Sequence, residues 1–323
     1  SRRVYELLAC GTPVVSAPSK ALEEQFSGIV QIANNEKEAN ATIGKLLSDE
    51  TFYNRIAHLG YREVMQRHTY RNRLGVLLST LDLPYTDKTP LVSVVMCTMR
   101  PDMIGRIVTN LTRQIHPCLE VIFILQGFSS QDKKRLAAGI KATKSNIGRI
   151  EIVSDDSPRT LGERFNNGVS LARGEYIAKM DDDDLYFDHY IADMLIPFSF
   201  GDFALVGKKE VFMYLEGSNK LVRRFPDMRH QQTDFVSGST FVIRRDILNT
   251  VPFPSLNRGE DSGFLKNLSD AGHKIYSADP YNYIIWRHSN QARHTWKVED
   301  DEFLKSHHTN IEGAGLNLQP VQV

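Results

Sequence analysis

Four consecutive carboxylates, Asp181, Asp182, Asp183 and Asp184, follow directly on the apolar stretch Tyr176-Ile177-Ala178. Adjacent like charges raise one another's pKa unless a cation or solvent screens them. Such a run is therefore either a solvated acidic turn or the seat of a positive ligand. Hard divalent ions such as Mg²⁺ and Mn²⁺ take carboxylate oxygens and bridge to substrate phosphates, so one or two aspartates plus a diphosphate complete an octahedral shell. A second acidic pair, Glu260-Asp261, follows Gly259 and opens a helical pattern with Phe264, Leu265, Leu268 and Ala271 on its apolar face and Gly272 at its end. A carboxylate there serves the helix dipole or acts as a general base toward a hydroxyl nucleophile. Residues 286–296 hold two His, two Arg and two Trp, groups able to clamp a diphosphate or stack on a sugar ring.

The elements that must hold these groups alternate in type. Residues 91–97 are a continuous apolar run of strand length, and 104–115 show helical periodicity. A strand at 121–125, a helix at 131–143 and a strand at 149–153 follow. The helix at 160–172 opens with the capping-box sequence Thr160-Leu161-Gly162-Glu163 and repeats Leu161, Phe165 and Val169 on one face. A fourth strand, 175–180, runs straight into the aspartates. This order predicts an α/β fold with a mainly parallel sheet flanked by helices, whose ligands bind beyond the carboxyl ends of the strands. Ahead of it, the polar, proline-bracketed stretch 84–90 reads as a linker. Residues 1–83 are α/β material as well: Val4, Leu7 and Leu8 at helical spacing, a stop at Cys10-Gly11-Thr12-Pro13, a short strand Val14-Val15-Ser16, and helices at 36–47 and 49–67.

At 323 residues, with 41% apolar and 24% charged residues, the chain suits a soluble protein of two unequal parts. Lys plus Arg total 39 and Asp plus Glu total 39, which provides no basic field for nucleic acid. Cys10, Cys97 and Cys118 lie far apart, without zinc spacing or a disulfide framework, and this favours a reducing, cytoplasmic setting. No run of about 18 apolar residues is present to span a bilayer, although peripheral membrane contact stays compatible with the sequence. The chain opens Ser-Arg-Arg within a helical pattern, as a piece of a longer polypeptide would.

The string Val92-Ser93-Val94-Val95-Met96-Cys97-Thr98-Met99-Arg100-Pro101 resembles the first strand and nucleotide loop of family-two glycosyltransferases of the GT-A fold. Leu161-Gly162-Glu163-Arg164-Phe165-Asn166-Asn167-Gly168, then Ala172 to Met180 and the aspartates, is similar to that family's central helix, strand and DXD metal motif. Gly238-Ser239-Thr240 before Phe241-Val242-Ile243 looks like its acceptor-side strand, and Gly259-Glu260-Asp261 like the segment carrying its base. The resemblance implies a GT-A, Rossmann-like catalytic domain over 91–313 with a tail at 314–323. It also implies metal-dependent, inverting transfer of a sugar from a nucleotide-diphosphate donor, a UDP-sugar first, to a hydroxyl of a glycan or surface-polymer acceptor in bacterial polysaccharide biosynthesis. Carried over by position, Thr98, Arg100, Asn166, Lys179 and Asp181 would line the nucleotide-sugar site and Asp182 would approach the ribose. Asp183 would hold Mn²⁺ or Mg²⁺ with His288 as a further ligand, and Asp261 would be the base. Gly238, Ser239, Glu260 and Trp286 would meet the acceptor, with Lys179, Arg287 or His288 assisting the leaving group. One departure stands out. The family's second strand usually ends in an acidic residue that meets the nucleobase, whereas here it ends Leu125-Gln126-Gly127, and Gln126 can hydrogen-bond a base edge.

Arg3-Val4-Tyr5-Glu6-Leu7-Leu8-Ala9-Cys10-Gly11-Thr12-Pro13-Val14-Val15 resembles the donor-binding segment of GT-B glycosyltransferases, and the likeness goes on through His68-Thr69-Tyr70 and Arg73 as in spore-coat and surface-glycan enzymes. That architecture needs two complete domains, so residues 1–83 are expected to be a truncated, inactive GT-B unit in which Glu6 is a vestigial ribose contact or a surface carboxylate. Two other functions compete for the catalytic part. A sugar nucleotidyltransferase usually carries a glycine-rich loop after its first strand, and Met96-Cys97-Thr98-Met99-Arg100-Pro101 contains no glycine. A glycan-binding module would keep the fold without the chemistry.

Overall fold

The computed structural model describes residues 2–86, 88–290, 299–306 and 308–323. The chain forms two compact units, residues 1–88 with Val323, and residues 89–322. Arg293, His294 and Trp296, singled out above, lie outside the described residues.

The first unit comprises α1 (Arg2–Ala9), β1 (Val15–Ser16), α2 (Lys20–Gln25), β2 (Gln31–Ile32), α3 (Glu36–Ser48), α4 (Glu50–Arg67) and α5 (Tyr70–Thr80). Gly11, at φ +66°, ends α1 where the sequence places a stop. The side chains of Asn35, Asp49 and Thr69 cap the next three long helices by accepting from the backbone N–H of Glu38, Phe52 and Asn72. Val4, Leu8, Val14, Phe26, Val30 and Val64 form its core. Neither α2 nor α5 buries a residue, so neither carries an apolar stripe that periodicity would reveal.

The second unit begins with β3 (Val92–Thr98), α6 (Ile104–Thr112), β4 (Leu119–Leu125), α7 (Ser130–Ala142), β5 (Ile147–Ser154), α8 (Leu161–Leu171) and β6 (Tyr176–Lys179). The four strands pair in parallel in the order β5-β4-β3-β6. Period-two alternation divides them between two cores: Val92, Val94 and Met96 pack with Ile107 and Leu136 of α6 and α7, while Val95, Ile122 and Ile124 meet Phe165 of α8. Helix α6 stops short of the expected residue 115, because the N–H of Ile115 donates instead to the Asp188 carbonyl at 3.0 Å.

Beyond β6 come β7 (Leu185–Tyr186), α9 (Tyr190–Leu195), β8 (Leu205–Gly207), β9 (Val211–Leu215), β10 (Lys220–Arg224), β11 (Gln231–Thr233), β12 (Val242–Arg244), α10 (Glu260–Asp270), β13 (Ile275–Ser277), β14 (Tyr283–Arg287), α11 (Asp300–Lys305) and β15 (Thr309–Ala314). The main sheet runs β11-β13-β8-β12-β6-β3-β4-β5, and a second sheet, unforeseen from the sequence, runs β15-β10-β9-β14-β7. The main sheet is thus parallel over β6-β3-β4-β5 and mixed over β11-β13-β8-β12, since β12 is antiparallel to both β6 and β8. That reversal matters for the site. The short 3-10 turn Gly238–Thr240, which leads into β12, reaches the same sheet edge at which β6 delivers the aspartates. Among the described residues, no helix is long and apolar enough to cross a membrane.

The turn from α8 into β6 is clamped by a residue that the motif reading did not single out. Glu120 on β4, 2% exposed, accepts from the Ser93 hydroxyl at 2.5 Å, from Arg149 Nη1 at 2.9 Å, and from the backbone N–H groups of Arg173 and Gly174 at 2.6 and 3.2 Å. Burial alone would raise its carboxyl pKa, but these donors, led by Ser93, hold it below the ordinary range. Glu120→Ala should therefore destabilise the protein by about 1–3 kcal/mol at neutral pH, because it removes the acceptor of the buried Ser93 hydroxyl and of the Arg173 N–H, while Arg149 keeps Glu151 and the Leu171 carbonyl. The carboxylate's contribution is present above the unfolded-state pKa and disappears as pH falls through the depressed folded value. Urea melts of wild type and variant should differ most at pH 7 and converge in acid; equal stability at pH 7 would contradict this account.

Candidate active site

At the end of β6 the acidic run splits by direction. Asp182 is almost fully buried and is held by the Thr98 hydroxyl and by Arg100, whose Nη2 and Nε lie 2.7 and 3.1 Å from its oxygens. Asp184 is buried as well, accepting from the Tyr283 hydroxyl at 2.5 Å and the Trp286 N–H at 3.0 Å. Burial, with Asp183 and Asp181 beside it, pushes the Asp184 carboxyl up to about 8, and burial pushes Asp182 to about 6. Asn110 of α6 fixes the backbone around Asp184 by donating to its carbonyl at 2.8 Å and accepting from Tyr186 N–H at 3.2 Å. Asp181 and Asp183 turn the other way, with side chains 40% and 15% exposed. Arg100 Nη1 donates to one oxygen of Asp183, and the other oxygen has no protein hydrogen bond among the described residues.

Asp261 faces this run across a cleft of about 830 Å³. It stands in the first turn of α10, which starts from Gly259 in the left-handed region at φ +75°. Its Oδ2 accepts from Lys179 Nζ at 3.3 Å, and the same ammonium reaches Asp181 at 3.1 Å. Oδ1 is enclosed and has no hydrogen-bond partner among the described residues. Burial raises the Asp261 pKa, partly opposed by Lys179. For Lys179 burial acts downward, yet Asp181 and Asp261 outweigh it and hold the amine well above its ordinary value. Neighbouring Glu260 is buried to 7% exposure, and its carboxyl is raised by burial and by Asp261. The arrangement puts a carboxylate able to accept a proton opposite carboxylates able to hold a cation.

Of the residues expected from sequence, Arg100, Lys179, Asp181, Asp182, Asp183, Gly238, Ser239, Glu260, Asp261 and Trp286 all line the cleft. Four others do not. Thr98 sits behind Asp182 as its hydrogen-bond donor, and Gln126 follows the end of β4 with its N–H on the Thr98 carbonyl at 3.0 Å. The Asn166 amide is taken up by the backbone of Phe253, donating at 2.8 Å and accepting at 3.0 Å. His288 lies 3.6 Å from Glu216 through Nδ1. The Ser239 hydroxyl is engaged with Tyr283. Cys97 also faces the cleft, but burial pushes its thiol up to about 12, which keeps it protonated. Arg106 was missed: its guanidinium lies 4.5 Å over the Trp286 ring and donates to the Asp183 carbonyl. Nothing local to residue 106 signals this, because the partners come from elements about eighty to one hundred and eighty positions away.

Residues 93–251 match the model of glycosyl transferase family 2, and residues 1–79 match a glycosyl transferase-like model. The first stretch, just under half of the chain, is thus similar to family-two glycosyltransferases. Glycosyltransferase GlyG of Streptococcus pneumoniae serotype 4 is 20% identical over 244 residues, covering 67% of this chain and 78% of that protein. Among solved structures, the mannosyltransferase PcManGT from Pyrobaculum calidifontis, in complex with GDP-Man and Mn²⁺, superposes with a TM-score of 0.50 at 16% identity. The match covers 68% of this chain and 63% of that one, so less than two thirds of the mannosyltransferase is represented. TarS residues 1–349 from S. aureus, in complex with UDP-GlcNAc, matches with a TM-score of 0.47 at 18% identity over 61% of this chain and 59% of that one. The mannosyltransferase likeness supports a GT-A type fold for the transferase domain.

Gly238 has a steric role in this domain. A Cβ there would fall 1.9 Å from Asp261 Oδ2, 2.5 Å from its Cγ and 2.9 Å from its Cβ. Rotating the carboxylate relieves the first contact but not the last, so the start of α10 must move. A crystal structure of Gly238→Ala should therefore show α10 displaced at its first turn and the Lys179–Asp261 pair opened beyond hydrogen-bond distance. An unmoved Asp261 would contradict this reading.

Proposed function

We propose that the transferase domain moves a sugar from a nucleoside-diphosphate donor to an acceptor hydroxyl, with inversion at the anomeric carbon and with a divalent cation. The observation that carries the reading is the single cleft onto which both Asp183 and Asp261 open. Asp261 would accept the proton of the acceptor hydroxyl as that oxygen attacks, and Arg100, already on the aspartates, would supply fixed positive charge near the diphosphate. The donor set fits a hard cation. Asp183 offers a carboxylate oxygen without a protein donor, as an ion that keeps waters and substrate phosphates requires. Mn²⁺ or Mg²⁺ at Asp183, when bound, would neutralise charge developing on the departing diphosphate. The bound GDP-Man and Mn²⁺ of the P. calidifontis mannosyltransferase accord with this. The Ser1–Lys88 unit is proposed to be GT-B-like and to take no part in this transfer. Its Glu6 is a half-exposed helix carboxylate paired with Arg2, and Glu6→Ala should leave turnover unchanged.

A panel of nucleotide sugars that includes UDP- and GDP-linked donors should release nucleoside diphosphate with Mn²⁺ or Mg²⁺ present and stop on addition of EDTA. Release of pyrophosphate from a nucleoside triphosphate and a sugar 1-phosphate, with no diphosphate released from the nucleotide sugars, would instead mark a nucleotidyltransferase, and full activity in chelator would sink the metal assignment. Asp183→Asn should weaken Mn²⁺-dependent nucleoside diphosphate binding in calorimetry. Asp261→Asn should lower turnover by about 10²–10⁴-fold while donor affinity stays near wild type. An Asp261→Asn enzyme turning over normally would remove Asp261 from the chemistry.

A further inference from the structure

Lys179 was expected to touch the nucleotide sugar or its leaving group. Its surroundings assign it elsewhere. The ammonium, 8% exposed, is bracketed by Asp181 at 3.1 Å and Asp261 at 3.3 Å. Both carboxylates converge on it from different elements, the loop after β6 and the first turn of α10. We propose that Lys179 is a positioning residue for the base: it ties the Asp261 carboxylate to the end of β6 and sets the pH range over which that carboxylate is ionised. The inference deepens the transferase reading and rests on it for its consequence in turnover, though not for the coupling of the two side chains.

The charges around Asp261 make the dependence on Lys179 one-sided. The groups facing it are Lys179 from β6, Asp181 from the following loop, Glu260 from its own helix, and the backbone at Gly238 from the turn before β12. Lys179 is the cation among them. The carboxylate has one rather long hydrogen bond, from that same ammonium, and an enclosed second oxygen with no donor among the described residues. Without Lys179 the ionised form, one oxygen enclosed and the side chain 26% exposed, would sit beside two further carboxylates, an environment that favours protonation. A base must be deprotonated to act, so raising its pKa moves the acid limb of the rate profile to higher pH. An opposite charge at this distance typically shifts a carboxylate by about 1–3 pH units. The same geometry argues against a direct donor contact, since both faces of the ammonium are already matched to protein carboxylates.

The test compares wild type with Lys179→Met, Lys179→Gln and Lys179→Arg at saturating donor and metal, over about pH 5–9. Circular dichroism is used to retain folded variants. In Lys179→Met, or Lys179→Gln if the first does not fold, the acid limb of turnover should move up by about one pH unit or more. The donor KM should stay within about twofold, and Lys179→Arg should keep the limb near its wild-type position. A raised donor KM with an unmoved limb would make Lys179 a donor contact and overturn the proposal. So would a lowered melting temperature with no change in the profile. In parallel, ¹³C-carboxyl NMR of aspartate-labelled protein, with Asp261→Asn identifying the resonance, reads the Asp261 titration without any substrate. A titration raised in Lys179→Met sustains the inference even if no sugar is transferred, and an unshifted one overturns it.

Discussion

Five carboxylates crowd the carboxyl edge of one sheet, and the need to balance them organises the rest of the catalytic unit. Asp181 through Asp184 and Asp261 meet around one cleft, and two cations from the protein, Arg100 and Lys179, are set among them. Like charges at such spacing cannot all stay ionised in a buried setting without compensation. The fold resolves this by turning alternate aspartates in opposite directions. Asp182 and Asp184 are drawn inward onto Thr98, Arg100, Tyr283 and the Trp286 N–H, while Asp181 and Asp183 face the cleft.

Topology then explains how Asp261 comes to face the acidic run. The parallel strands β3 and β6 end at the same edge, which brings Arg100 to the aspartates. The reversed strand β12 brings Gly238 to that edge, and the absence of a side chain there lets Asp261 approach. Glu120 pins the turn before β6, so the strand that carries the acidic run cannot slide relative to β3 and β4. With Lys179 acting as proposed, positioning in this molecule is shared between Glu120, a buried anion behind the strand, and a buried cation in the cleft.

The sequence was most informative where one element carries its own signal. The apolar strands ending in Thr98 and Lys179, the Thr160 capping box, and Asp261 at the start of an amphipathic helix all appear in the structure close to where periodicity and capping put them. It was least informative where function depends on pairs far apart in the chain. Asn166 sits in a motif that resembles a nucleotide site, yet its amide is matched to the backbone of Phe253. Lys179 reads as a phosphate ligand from its place beside the aspartates, and only the fold reveals that Asp261 arrives on its other side. The second sheet escaped notice because its strands are short and pair across long intervals, as β9 does with β14 and β10 with β15.

The central claim is that Asp261 deprotonates an acceptor that attacks the donor from the side opposite the departing diphosphate. The stereochemical course reads this directly. Once a donor and acceptor pair is found, ¹H NMR of the first product formed should give an anomeric coupling for the configuration opposite to that of the donor sugar. Retention of the donor's configuration in that first product would contradict a single displacement with Asp261 as base.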